Sequence, residues 1–141
     1  MGCKGSAMIR DAADISNSFD LDLKTMEKLL DDEVLTCMVV FHAQQLAEKT
    51  FKALFEEKNI DVPKIHSLLT LWKRVAPLWE KFPLLDEDTL HRLDQLYIDV
   101  RYSGNLDLLP DGAPSIVDAL EFYVFSRDFN ETIKKMLALA G

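Results

Sequence analysis

The sequence predicts an all-α, up-and-down bundle of about five helices, and three observations carry that expectation. Apolar residues recur with a helical period nearly throughout the 141 residues. No alternating apolar–polar run is long enough to make a convincing strand. Clusters of Pro, Gly, Asn and Asp fall between the periodic stretches as short links, as an antiparallel bundle requires. There is no internal repeat. The chain reads as one domain, 1–141, with residues 1–21 forming an N-terminal segment to which no role is assigned.

The first helical region is expected over about 7–30, with an interruption near Asn17–Asp22, where Ser, Asn and Asp favour local turns. Its second part, "LKTMEKLL", sets Leu23, Met26 and Leu30 on one side. A second helix is expected over about 32–58, with Asp32 and Glu33 at the positive end of its dipole. Its apolar positions, among them Leu35, Val39, Leu46, Phe51 and Leu54, cover more than half the circumference, which predicts burial among several neighbours. Asn59 and Pro63 end it. A third helix over about 65–78 turns Leu68, Leu71, Trp72 and Val75 inward, and Pro77 and Pro83 break the chain there. A fourth opens at "DEDTLHRLDQLYIDVRY", acids first, with Leu90, Leu93, Leu96 and Val100 as its seam. "SGNLDLLPDGAP", 103–114, reads as a loop. The last helix starts near Ser115, where Ser115 and Asp118 match the S-x-x-D capping pattern, and Phe122, Phe125, Phe129, Ile133 and Met136 form its stripe.

Composition bounds the function. Hydrophobic residues at 48% against 28% charged describe a globular chain rather than a disordered one. No apolar run approaches the ~20 residues that span a bilayer, so no membrane partner is expected. Cys3 and Cys37 make no CxxC or zinc-like spacing. Cys37 reads as a reduced, buried thiol, and a cytoplasmic location fits. The net charge of −8 argues against general attraction to nucleic acid. It is uneven: residues 11–33 carry eight acids against Lys24 and Lys28, whereas 64–81 carry Lys64, Lys73, Arg74 and Lys81 against Glu80 alone. The basic stretch reads either as a selective anion site or a surface for an acidic partner, or as a solvated surface of mixed charge. "MGCKGS" matches a myristoylation pattern, with Cys3 open to palmitoylation, although so short a pattern also arises by chance.

Signatures of common catalytic sites are missing: no phosphate loop, GxGxxG, HExxH or GxSxG is present. His91 and Asp94, three apart, are too few for a metal site; no metal and no cofactor is expected. The second helix carries a different signal. Gln45, Glu48, Lys49, Lys52 and Glu56 fall within roughly a third of its circumference, on a stripe that Met38 and Phe41 occupy one turn earlier. Glu48 and Lys52 are spaced for an i,i+4 ion pair, which contributes only a few tenths of a kcal/mol. On the fourth helix Asp94, Tyr97 and Arg101 share a face, followed by Tyr102. Arg101 suits a forked contact with phosphate or carboxylate, while Asp94 and Arg101 can equally satisfy each other.

"FHAQQLAEKTFKALF" (41–55), "IHSLLTL" (65–71), "LYIDVRYSG" (96–104) and the closing amphipathic helix resemble the HEPN family, in order and at similar separations, over about 22–139. The Gln-Gln-x-Ala-Glu-Lys run followed by Lys52 is its most specific piece. The resemblance implies a HEPN-like bundle, often a homodimer, commonly paired with a small nucleotidyltransferase in a toxin–antitoxin-like or nucleotide-handling couple. It places the polar residues on Gln45, Glu48, Lys49, Lys52, His66, Tyr97, Arg101 and Tyr102; Asp94 joins them from the helix face. One branch of the family cuts RNA with an Arg-x4-6-His motif, whose histidine moves the 2′-hydroxyl proton. Here Leu106, Asp107 and Leu108 follow Arg101 at that spacing, and Tyr97, Ile98 and Asp99 follow Arg92. Tyrosine, with an unperturbed pKa of about 10, is a poor base near neutrality.

The expectation is therefore a non-catalytic module that binds a nucleotide or a nucleic-acid end in a cleft between Lys49/Lys52 and Arg101. The partner would act on a ligand held there or modify Tyr97 or Tyr102. A metal-independent ribonuclease with a non-standard base and a purely structural helical protein are the alternatives. In the expected arrangement Met38 and Phe41 bury against a neighbouring helix or a second subunit.

Overall fold

The structure, a computed structural model, describes residues 12–103 and 113–140, with side chains for 18–100 and 113–138. The described residues form an antiparallel bundle of five α-helices: α1 (Ala12–Leu29), α2 (Thr36–Glu57), α3 (Leu68–Val75) continued by a 3₁₀ turn (Ala76–Leu78), α4 (Glu87–Ser103) and α5 (Ile116–Ala140). No strand occurs among the described residues.

The wide apolar arc of α2 has the expected consequence. Val39, Val40, Ala43, Leu46, Ala47, Phe51 and Leu54 are fully buried, and α2 touches each of the other four helices. Burying one such large side chain contributes about 1.5–3 kcal/mol, which is why this helix occupies the centre. Phe51 meets Phe129 of α5 with ring centroids 4.7 Å apart. Beside them the Asn130 amide donates to the Thr50 hydroxyl (2.9 Å), which donates to the Leu46 carbonyl (2.7 Å), so one polar thread crosses the core. Cys37 is buried, and that burial pushes its thiol pKa up.

The helix ends differ from expectation in instructive ways. α1 runs unbroken from Ala12 through Asp22, because the Asp22 carboxylate finds tertiary partners instead of competing for its own backbone. α2 begins at Thr36 with no acid in its first turn. Asp32 instead accepts the Val34 amide on Oδ1 (2.9 Å), forming the turn that precedes the helix. At its other end Asn59 takes φ 56°, the Asn59 amide donates to the Glu56 carbonyl and the Ile60 amide to the Phe55 carbonyl, both at 3.0 Å. That is the double closure of a left-handed C-terminal cap. α3 starts three residues later than expected, at Leu68, and Pro77 confines its last turn to 3₁₀ geometry. At the start of α5 the Asp118 amide donates to Ser115 Oγ (3.0 Å) and the Ser115 amide to Asp118 Oδ2 (3.2 Å), the reciprocal cap that the sequence pattern announces. The expected loop over 103–114 lies largely outside the described residues.

Candidate functional site

The polar stripe of α2 is organised by two buried carboxylates. The first, Asp22 on α1, has a side chain 7% exposed and holds two partners from α2: His42 Nδ1 at 2.9 Å and Lys49 Nζ at 2.8 Å. His42 and Lys49 are seven apart, two full turns, so one carboxylate reaches both along a single helix face. The second, Glu48, has a side chain 10% exposed. It accepts from Gln44 Nε2 (3.1 Å), Lys52 Nζ (2.9 Å) and His66 Nδ1 (3.1 and 3.2 Å). An imidazole nitrogen facing a carboxylate carries the hydrogen, so Nδ1 donates in both histidines. Gln44 also donates to the His66 carbonyl (2.9 Å) and accepts from Gln45 Nε2 (2.8 Å). The segment before α3 is thereby tied to α2 through both backbone and side chain of His66. Three donors on one nearly buried carboxylate satisfy it well enough to remain inside the fold.

Asp94 has a different task. Both of its oxygens serve the N-terminus of α3: the Leu68 amide at 2.7 Å, the Leu69 amide at 3.1 Å and the Ser67 hydroxyl at 3.0 Å. Ser67 also accepts the Thr70 amide (3.2 Å). Asp94 therefore caps a short helix from across the bundle, neutralising the partial positive charge there. Tyr97, one turn on, is 5% exposed. Its ring lies parallel to Phe41 at 6.0 Å and 6.4 Å from the His66 ring. The change of character along the α2 stripe has its reason here: Phe41 packs on Tyr97 of α4, and the next turn meets polar partners from the segment before α3 and from α1. Met38, at the outer end of the same stripe, is 42% exposed.

Between the start of α3 and α4 lies a cavity of about 430 Å³, bordered by His66, Leu69, His91, Gln95, Tyr97 and Ile98. The side chain of His66 is 60% exposed, so it joins the buried Glu48 network to this cavity. Of the nine residues singled out from the sequence, Gln45, Glu48, Lys52, His66 and Tyr97 form one continuous cluster, Gln45 through its bond to Gln44. Lys49 stands on the neighbouring Asp22 centre, and Asp94 borders the cavity while holding α3. The Arg101 and Tyr102 side chains lie outside the described residues, and with them the expected meeting of Lys52 with Arg101. Sequence reasoning missed Asp22, His42 and Gln44. The i,i+7 spacing of His42 and Lys49 was a visible signal; the approach of Asp22, twenty residues away, was not. Among the described residues no helix is long and apolar enough to cross a membrane.

Comparison with curated proteins and with solved structures gave no significant match. A family model described as the HEPN domain matches residues 20–135, which takes in all of α2, α3 and α4, the Glu48 cluster and most of α1 and α5. Its span begins two residues before Asp22 and ends within the last turns of α5, so both carboxylate centres fall inside it. The chain belongs to the HEPN domain family, a family of nucleotide- and RNA-related modules.

Proposed function

We infer that the protein binds a nucleotide or the phosphorylated end of a nucleic acid on the face where α2, the segment before α3 and α4 meet. It does so as a cytoplasmic homodimer working with a small nucleotidyltransferase in a toxin–antitoxin-like pair. The observation that carries this reading is the Glu48 cluster: a nearly buried carboxylate that fixes Lys52 on one side and, on the other, His66, which borders a 430 Å³ cavity. Each lysine ammonium has three N–H groups, and the ion pair with Glu48 or Asp22 takes one of them. Lys49 and Lys52 thus keep donors for a phosphate, already positioned. Arg101 would supply the forked contact. Tyr97, closed off by its burial, is not open to a modifying enzyme in this conformation.

Calorimetry of the full chain with AMP, ATP, GTP and a short 5′-phosphorylated RNA tests the reading. Saturable binding that Arg101→Ala weakens about tenfold, with the helical circular dichroism unchanged, is the expected result for loss of a charge-assisted phosphate contact. Heat signals indistinguishable from buffer for every ligand would overturn it. Sedimentation at low ionic strength reads the mass, and a monomer at all concentrations removes the dimer from the proposal.

A second reading has one observation in its favour. His66, oriented by Glu48 through Nδ1, has the carboxylate–imidazole arrangement of a general base and stands in for the missing motif histidine. Cleavage of total RNA by the purified protein in the presence of a chelator, lost in His66→Ala, would establish it in place of simple binding.

A further inference from the structure

We propose that the cavity between the start of α3 and α4 is a nucleobase subsite, selective for bases that present an exocyclic amine beside a ring-nitrogen acceptor, as adenine and cytosine do. This rests on the reading of the protein as a nucleotide binder and names the part of the ligand that the cavity holds.

The N-terminus of a helix ordinarily attracts a phosphate, because its first amides point outward and its dipole is positive there. At α3 that place is filled: Asp94 receives the Leu68 and Leu69 amides and the Ser67 hydroxyl. A phosphate brought into the cavity would meet a carboxylate instead of free amides. The cavity is therefore a place for the neutral part of a nucleotide. Its walls agree, since Leu69, Tyr97 and Ile98 supply apolar surface, and Ile98 is left 48% exposed. A volume near 430 Å³ lies in the range that holds small ligands, about 300–1,000 Å³.

Polar groups at the rim set the selectivity. The Gln95 carboxamide donates one N–H to Asp99 (3.1 Å), which fixes its orientation. Its oxygen and second N–H remain, an acceptor and a donor side by side. That pair is complementary to an amine next to a ring nitrogen, the way a glutamine amide reads adenine by two parallel hydrogen bonds. Uracil and hypoxanthine present a carbonyl beside an N–H and satisfy the same pair only with the ring rotated or turned over, which carries the sugar away from the mouth at His66 and His91. His66, bonded to Glu48 through Nδ1, and His91 stand at the same mouth, where the sugar and phosphate would emerge.

Chemical-shift titration of the Leu69 and Ile98 methyl groups in the full chain tests this with nucleosides that carry no phosphate. Adenosine and cytidine should move these signals and bind about tenfold tighter than inosine and uridine, the discrimination expected of one good amide–base pair. Ile98→Trp, at a half-exposed position where the larger ring has room, should remove nucleoside binding. Gln95→Ala, on the surface, should bring the four nucleosides within about twofold of one another. Equal affinity for all four in the unaltered protein would overturn the selectivity. AMP binding that persists in Ile98→Trp, with no nucleoside binding to the unaltered chain, would overturn the subsite while leaving the phosphate-end reading standing. Failure of AMP and phosphorylated RNA as well as nucleosides would remove both.

Discussion

Glu48 is the residue on which most of the site geometry converges. It receives an amide from Gln44, an ammonium from Lys52 and an imidazole from His66, and it sits where solvent reaches a tenth of its side chain. Read as an i,i+4 pair with Lys52 alone, it would matter by a few tenths of a kcal/mol. As the acceptor for three donors it matters more, because removing it leaves several polar groups partly desolvated and without a partner. Glu48→Ala should lower stability by about 2–4 kcal/mol in urea denaturation. Glu48→Gln keeps the shape and accepts through one oxygen, so it should lose less than Glu48→Ala. A loss below half a kcal/mol for the alanine variant would show that the cluster is held elsewhere. The same substitution releases His66 from its orientation, and ligand affinity should fall with it.

At the scale of a single element, α3 shows how a short helix is held. Eight residues form a marginal helix in isolation, since nucleation is costly and few hydrogen bonds follow. Leu68, Leu71 and Val75 bury completely, which anchors one face. The free amides at its start are met by Ser67 from within and by Asp94 from α4. Asp94→Ala should cost about 1–2 kcal/mol, the range for losing a helix cap. Hydrogen exchange should show the loss concentrated at the Leu68, Leu69 and Thr70 amides rather than spread over the bundle. Uniformly raised exchange would assign Asp94 to the global core instead. The sequence marked Asp94 for its neighbours on α4, Tyr97 and Arg101. Its carboxylate turned out to face a different helix, and nothing in the spacing along α4 announces that.

Across the whole molecule, α5 returns to α1 and closes the bundle. The Tyr123 hydroxyl donates to Glu27 Oε2 at 2.7 Å, joining residues 96 apart. Burial, then the hydrogen bond to Glu27, push the Tyr123 pKa up, and Arg127 beside the ring pulls the other way without cancelling them. A pKa raised in the folded protein means that the folded state holds its proton more firmly than the unfolded one. That contribution is complete below the unfolded value of about 10 and is lost as pH rises through the folded value. Unfolding free energy should therefore fall above about pH 10, by at most about 1.4 kcal/mol per pH unit for this one group. Tyr123→Phe should lose that part of the slope. Parallel curves for the two proteins between pH 9 and 11 would show that the tie does not hold α5 to α1.

What the sequence determined by itself is the part governed by local periodicity and local chemistry. The helical repeat, the wide apolar arc of α2 and the Ser115–Asp118 cap depend on residues within one or two turns of each other, and each is found where the pattern put it. The stripe of Glu48, Lys49 and Lys52 was legible for the same reason. Only the tertiary structure decided how those groups are used. Asp22 reads as a turn-favouring residue at an interruption of the first helix, yet its carboxylate is buried between His42 and Lys49. Asp32 and Glu33 read as the first turn of α2 and instead form the turn before it. A carboxylate has no preference for one cation, amide or helix end over another until packing brings one within 3 Å. Charge is written in the chain, but its partner is chosen by the fold.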